Sequence, residues 1–302
     1  MLYVKINLRI KYQGGGHMSK YQILYNPKAN NNRGEEKLDS IPIAKEEQVL
    51  TNVLEIEDPK AFFDSIDPDD KVVIVGGDGT LNHFVNECYD IDYPNQVYLY
   101  AAGTGNDFLN DIGKPADELV EITKYLKHLP VVSVNGKDYR FINGIGYGID
   151  GYCCEVGDKM REAGEKKIDY TGIAIKGLLF HYKPTHAKVT VDGVTKEYDK
   201  TWIAPTMNGR CYGGGMYPTP DQDRLNNDEV SCMVMYGKGK IRTLIAFPKI
   251  FKGEHVKYKN MVEIRRGKEV AVEFDRPVAL QIDGETILNV TSYSVRSAGL
   301  AG

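Results

Sequence analysis

The sequence predicts a parallel α/β domain followed by a mainly antiparallel β domain, on three observations. From residue 21 to about 130, short apolar runs alternate with helical patterns. After about 131 the apolar pattern changes toward strict alternation and Asp-Gly turns. Two glycine-rich loops follow neighbouring apolar runs in the first half. At about 150 residues per domain, a chain of 302 residues suits two domains.

Each element has a local reason. Residues 22–25, 48–56, 71–75 and 97–100 are apolar runs of strand length, and helical patterns fall near 34–45, 59–66, 80–89 and 115–128. Leu81, Phe84, Val85 and Cys88 recur at i, i+3, i+4 and i+7, one face of a helix. Strands alternating with helices imply right-handed βαβ units on a parallel sheet. In the second half, residues 188–192 run into the turn Asp192-Gly193, and Gln281-Ile282-Asp283-Gly284 is a second turn signal. Residues 229–235 read as a strand, and Val270, Val272 and Phe274 alternate with Ala271, Glu273 and Asp275. Helices are expected near 153–162, 168–181 and 240–251.

Composition narrows the function classes. An apolar share of 42% and a charged share of 26% exclude wholesale disorder. No apolar run reaches the roughly 18–20 residues of a membrane span. A net charge of −4 gives no reason to expect nucleic acid as a partner. Five cysteines without a CxxC pair suggest reduced thiols in a cytoplasmic setting. Residues 1–17 read as a leader outside the native fold. The run Gln13-Gly14-Gly15-Gly16-His17-Met18 could encode a ribosome-binding sequence ahead of a start at Met18. The expected domains are then 18–130 and 131–302, with the last residues returning to the first domain.

The strongest local signal is Gly76-Gly77-Asp78-Gly79-Thr80-Leu81, an apolar strand meeting a glycine turn and then a helix. Glycines let a backbone approach a ligand, and free N–H groups at a helix start suit phosphate oxygens. Asp78 and Thr80 could equally be helix caps. A second loop, Ala101-Ala102-Gly103-Thr104-Gly105-Asn106-Asp107, follows the next strand, and Asn26-Pro27-Lys28-Ala29-Asn30 follows the first. Three loops at neighbouring strand ends would line one cleft, which favours nucleotide binding. Gly146-Tyr147-Gly148-Ile149-Asp150-Gly151 formally matches GxGxxG, but no strand ending in an acid follows about 20 residues on, so a dinucleotide fold is not expected.

At these loops the sequence resembles the soluble diacylglycerol kinase catalytic family, which includes sphingosine kinases and is related to NAD kinases. The matching residues are Asn26-Pro27, Gly76 to Thr80, Gly103 to Phe108, Phe141 to Asn143, Gly213 to Met216 and Asp283 to Glu285, in family order over almost the whole chain. The resemblance implies a Rossmann-like ATP-binding domain, then an antiparallel β-sandwich with the lipid site, and an active site between them. It implies a kinase of diacylglycerol, another hydroxyl lipid or NAD; a non-catalytic nucleotide- or lipid-binding regulator is the alternative. It places Asn26, Pro27, Lys28, Ala29 and Asn30, then Gly76, Gly77, Asp78, Gly79, Thr80, Leu81 and Asn82, then Gly103, Thr104 and Asn106, around ATP. Asp78 would lie beside the transferred phosphate, and Glu285 would accept the lipid hydroxyl's proton. Asp107 and Asp283 complete the catalytic set.

The resemblance also implies Mg²⁺, which bridges phosphate oxygens. Relatives carry an Asp-Asp-Gly metal loop where this chain has residues 221–229. Asp228 best matches the liganding carboxylate, with main-chain oxygens of Leu225 and Val230 as further ligands. Glu57 stands where relatives have Thr, and Val132-Ser133 where they have an acid. The implied partners are a lipid at an anionic membrane surface and a second copy of the chain in a homodimer. Residues 238–268 carry ten Lys/Arg against Glu254 and Glu263, interleaved with Phe247, Phe251 and Tyr258. That segment is expected to dock on anionic membrane, making the protein peripheral to it.

Overall fold

A computed structural model describes residues 19–28, 34–101, 105–165, 168–225, 228–237 and 239–301. Residues 1–17, Met18, Ala29, Asn30, Ala102, Gly103, Thr104, Asn226, Asn227 and Lys238 therefore lie outside the described residues.

The first sheet contains β1 (Tyr21–Tyr25), β2 (Gln48–Asn52), β3 (Lys71–Gly76), β4 (Val97–Ala101) and β5 (Leu119–Glu121) in the order β2-β1-β3-β4-β5. The first four are parallel, and β5 pairs antiparallel with β4. Helices α1 (Pro59–Ser65), α2 (Asp78–Cys88), α3 (Asp107–Asp111) and α4 (Thr123–Leu126) connect them. β3 is buried from Val72 onward because both faces of the sheet are covered. The expected α2 face, Leu81, Phe84, Val85 and Cys88, is buried against that core.

Three sequence expectations change here. Residues 34–45 form turns and a short 3₁₀ segment at Leu38–Ser40, since Pro42 stops helix propagation. Residues 115–128 split into β5 and α4, because Leu119–Glu121 extend the sheet edge along β4. The run 48–56 stops as a strand at Asn52, whose side chain accepts from the Leu54 N–H and starts a 3₁₀ turn.

Among the described residues the second sheet has ten strands. They are β6 (Val131–Val134), β7 (Lys137–Arg140), β8 (Gly144–Tyr147), β9 (Thr185–Val191), β10 (Val194–Ile203), β11 (Thr206–Met207), β12 (Val230–Tyr236), β13 (Val262–Gly267), β14 (Glu269–Ile282) and β15 (Glu285–Arg296). The long β14 pairs with β9 along residues 270–274 and with β8 along 280–282, so the sheet closes on itself. Pro277 lies where the β14–β15 register shifts. Both expected hairpins form, with left-handed φ at Asp192 and Gly193 (48° and 76°) and at Asp283 and Gly284 (47° and 99°).

Helix α5 (Ile149–Glu162) packs on this sheet, and α6 (Tyr170–Lys176) and α7 (Lys240–Ala246) add Ile173, Ala174 and Ala246 to its buried core. The GxGxxG match lies at the β8–α5 junction. A Cβ at Gly146 would meet the Asp150 carboxylate, and one at Gly151 the Ala279 carbonyl at 1.9 Å. These glycines seat a helix on a sheet. The expected helices 168–181 and 240–251 end early as α-helix, at Lys176 and Ala246, and continue as a π-turn over 177–181 and a 3₁₀ segment over 247–252. The terminal α8 (Ala298–Ala301) packs on β15, with Gly299 beside Asp228.

The basic segment also differs in detail. Phe247 is buried and Tyr258 packs on the second core, so neither is an outward ring. Arg265 donates to the Val189 and Val194 carbonyls, and Arg266 to Asp221 O. All five cysteines are free, and four are buried.

Candidate active site

β3 delivers its glycine turn to the edge of the second sheet. Gly76 is required because a Cβ there would lie 2.3 Å from Thr80 Oγ1. At Gly77 a Cβ would lie 2.6 Å from the Gly105 carbonyl, so the two glycine loops touch only because this residue has no side chain. The Asp78 N–H donates to that carbonyl at 3.0 Å. Gly79 faces open space. Gly77, the N-cap of the eleven-residue α2, supplies no side-chain cap.

Gly79 and Thr80 line a cavity of about 780 Å³. Asn26 and Val53 to Pro59 form one wall, His83 and Glu87 of α2 another, and Glu285 with Thr286 and Ile287 the wall from the second sheet. Glu57 is exposed between two lining residues, Ile56 and Pro59. An uncapped helix start beside an apolar wall fits a nucleotide. The N–H groups and positive dipole end suit phosphates, and Val53, Leu54 and Phe62 suit a base.

Behind the cavity, three carboxylates join the two halves. Asp78 accepts the N–H groups of Asp107 (2.8 Å) and Phe108 (3.0 Å) and the Asn143 amide (3.3 Å). Asp107 accepts Gly214 and Gly215 N–H, both at 2.7 Å. The triple-glycine loop can present those amides because Gly213, Gly214 and Gly215 all take positive φ. Burial pushes the Asp107 carboxyl up to about 6, assisted by the charges of Asp78 and Asp283 and opposed by the two glycine amides. Asp283 accepts four bonds: from Ile142 N (2.6 Å) and Asn82 Nδ2 (2.9 Å) on one oxygen, and from Asn143 N and Gly144 N (2.9 Å each) on the other. Burial raises its pKa while all four donors oppose that rise.

Sequence reasoning missed a second tie. Asp111, one turn after Asp107, is buried against Arg224 and Arg210. Arg224 also donates to Ile142 O and Asn143 Oδ1 and lies 4.8 Å from the Phe108 ring centre. Breaking one side of such a pair costs about 3–5 kcal/mol. The i+4 spacing from Asp107 was the only available signal, and Arg224 was hidden inside the presumed metal loop. A third support is also new. Gln281 donates to Asp150 (2.9 Å) and accepts from Gly284 N (2.6 Å), bracing the turn that carries Glu285.

The expected site residues thus divide. Asn26, Gly79, Thr80, Asn82 and Glu285 face the cavity. Asn26 also accepts the Lys28 N–H, shaping the turn at Pro27 and Lys28. Gly76 and Gly77 provide close packing, and Asp78, Asp107 and Asp283 tie loops together. Asn106 caps α3 in position but makes no side-chain cap bond. Leu81 is fully buried in the core, which corrects its expected place beside the nucleotide. Among the expected metal ligands, Asp228 and Leu225 are exposed and Val230 is buried at the start of β12. Among the described residues, no group of three or more His, Cys, Asp or Glu side chains converges as a metal site.

Residues 20–134 match the family model described as the diacylglycerol kinase catalytic domain. Residues 143–296 match that of the YegS C-terminal NAD kinase β-sandwich-like domain. A diacylglycerol kinase of Mycobacterium tuberculosis is 27% identical over 212 residues, covering 68% of this chain and 67% of that protein. A candidate lipid kinase of Staphylococcus haemolyticus is 28% identical over 233 residues, 72% of this chain and 71% of that one. A solved structure from Bacillus anthracis, named as a candidate diacylglycerol kinase, superposes with a TM-score of 0.66 at 20% identity, covering 93% of this chain and 95% of that one.

Proposed function

This chain belongs to the diacylglycerol kinase catalytic family, and we propose that it transfers the γ-phosphoryl group of ATP to the hydroxyl of diacylglycerol, giving phosphatidic acid and ADP. One observation carries the reading: Glu285 from the second sheet and the uncapped start of α2 from the first line the same cavity. The amides near Gly79 and Thr80 would hold phosphate oxygens. The acceptor oxygen forms a bond to the γ-phosphorus as the bond to the β,γ-bridging oxygen breaks. Glu285 takes the acceptor's proton, and ADP carries the departing electron pair. Asp78, Asp107 and Asp283 hold the loops around the cavity through the bonds they accept. Mg²⁺ would arrive with the nucleotide and neutralise charge on its phosphates.

The apolar side chains Val53, Leu54 and Phe62 of the cavity wall would seat the nucleoside base. Among the described residues no helix is long and apolar enough to cross a membrane. A bilayer substrate would then be met at the surface. The test is transfer of radiolabelled phosphate from ATP across a panel of diacylglycerol, ceramide, sphingosine, undecaprenol and NAD. Labelled phosphatidic acid as the main product supports the proposal. Preferential labelling of another acceptor, or ATP-independent behaviour throughout, refutes it.

A further inference from the structure

We propose that α5 is the template that aims Glu285, with Asp150 and Asp158 as positioning residues acting through Gln281 and Thr286. This rests on the reading of Glu285 as the base that takes the acceptor's proton. Glu285 is exposed, and among the described residues its carboxylate has no hydrogen bond or ion pair. Its direction is therefore set by the backbone that carries it. That backbone is the tip of a long hairpin, and loop tips are ordinarily the mobile parts of a fold.

Here the tip is held from one side. Gln281 of β14 and Thr286 of β15 are partners in register across the hairpin, so their side chains leave the same face. α5 packs on both strands. Asp150, in its first turn, accepts the Gln281 amide at 2.9 Å, and Asp158 accepts the Thr286 hydroxyl at 2.6 Å. Successive side chains of a strand point to opposite faces. Holding Gln281 and Thr286 on α5 thus sets the direction in which Glu285 leaves the hairpin.

Asp150 also chooses which way Gln281 turns. A glutamine amide can offer either its oxygen or its NH₂ group. A carboxylate takes the NH₂ end, which leaves the Gln281 oxygen to accept the Gly284 N–H at 2.6 Å. The hairpin does not pair that N–H itself, because its register ends at Ile282 and Glu285. The peptide group just before Glu285's own is thereby fixed. The stretch Gly146 to Gly151 makes this possible. A Cβ at Gly146 would collide with the Asp150 carboxylate and lie 2.7 Å from Gln281 Nε2. One at Gly151 would strike the Ala279 carbonyl. The first glycine makes room for the Asp150–Gln281 pair, and the last lets α5 approach β14 closely enough to form it. A buried carboxyl is costly, and no step of the transfer uses this one.

The test exchanges the polarity of the pair. Gln281→Glu keeps an oxygen for Gly284 but sets a second carboxylate against Asp150. Single-turnover transfer from ATP to short-chain diacylglycerol should slow by about tenfold to a hundredfold, the scale of a misplaced reacting group, with ATP Kd and acceptor KM little changed. Adding Asp150→Asn gives the new carboxylate an amide donor while its other oxygen still accepts from Gly284, and the rate should return to near the wild-type value. Asp150→Asn alone should be mild, because its amide oxygen can still accept from Gln281. Asp158→Ala removes a half-buried side chain outside the cavity and should also slow transfer at unchanged ATP Kd; it carries the test if Gln281→Glu does not fold. Amide hydrogen exchange over residues 281–286 should quicken in Gln281→Glu and in Asp158→Ala, and slow again in the double variant. No recovery of rate in the double variant, or wild-type transfer in Asp158→Ala, overturns the proposal. If the wild type phosphorylates no acceptor, the base reading fails; the exchange pattern then upholds the hold of α5 on the hairpin, and unchanged exchange overturns it.

Discussion

Replacing Asp283 with Asn isolates the contact that joins α2 to the second sheet. Among the described residues, this carboxylate only accepts hydrogen bonds, from the Ile142, Asn143 and Gly144 N–H groups and the Asn82 amide. A protonated carboxyl would have no acceptor for its hydrogen, so the geometry calls for the ionised form despite burial. Asn keeps the shape but offers one accepting oxygen. Its NH₂ group would point at two donors, Ile142 N and Asn82 Nδ2 or the pair on the other side. Each buried donor left unpaired costs about 1–3 kcal/mol, so the substitution should cost about 4 kcal/mol. Urea unfolding can be followed by fluorescence, because Trp202 is the sole tryptophan and is buried in the second core. Phosphoryl transfer should fall as well, since Glu285 is two residues away. A loss under about 1 kcal/mol would show that Asp283 is neutral in the fold and that the four-donor clamp is wrong.

Two further predictions concern the glycine loop and Asp107. Gly79→Val should leave the fold intact, because a Cβ there meets nothing within 4 Å, yet weaken ATP binding by filling the phosphate approach; an unchanged Kd in calorimetric titration would move the phosphates elsewhere. Asp107 titrates at about 6 in the fold and near 4 in an unfolded chain, so between those values only the folded state keeps its proton. Raising the pH through that window should therefore cost up to about 3 kcal/mol of stability, a slope that Asp107→Asn removes. Urea midpoints measured from pH 4 to 7 should converge or diverge between the two proteins accordingly, and parallel curves would contradict the assignment.

Much of the fold was legible because it follows local periodicity. The α2 face and both Asp-Gly hairpins formed as read, since i, i+3, i+4, i+7 spacing and left-handed turn residues act within a few positions. Leu119, Val120 and Ile122 misled because so short an apolar run suits a helix or an edge strand, and pairing with β4 decided it. In the basic segment the charge was readable, but burial of Phe247 depends on a core assembled from distant strands. The first glycine loop announced the cavity, which Gly79 and Thr80 line. Nothing in the linear sequence showed that Asp78 and Asp107 spend their oxygens on amides of other loops. The Asp111–Arg224 pair spans 113 positions and was invisible for the same reason.

The central claim is that Glu285 takes the proton of a lipid hydroxyl in the cavity shared with ATP. Glu285→Gln keeps the size and shape of the side chain and removes the base. Single-turnover transfer from labelled ATP to short-chain diacylglycerol should slow by roughly 10²–10⁴-fold, with ATP affinity little changed. Wild-type transfer in that variant would contradict the claim.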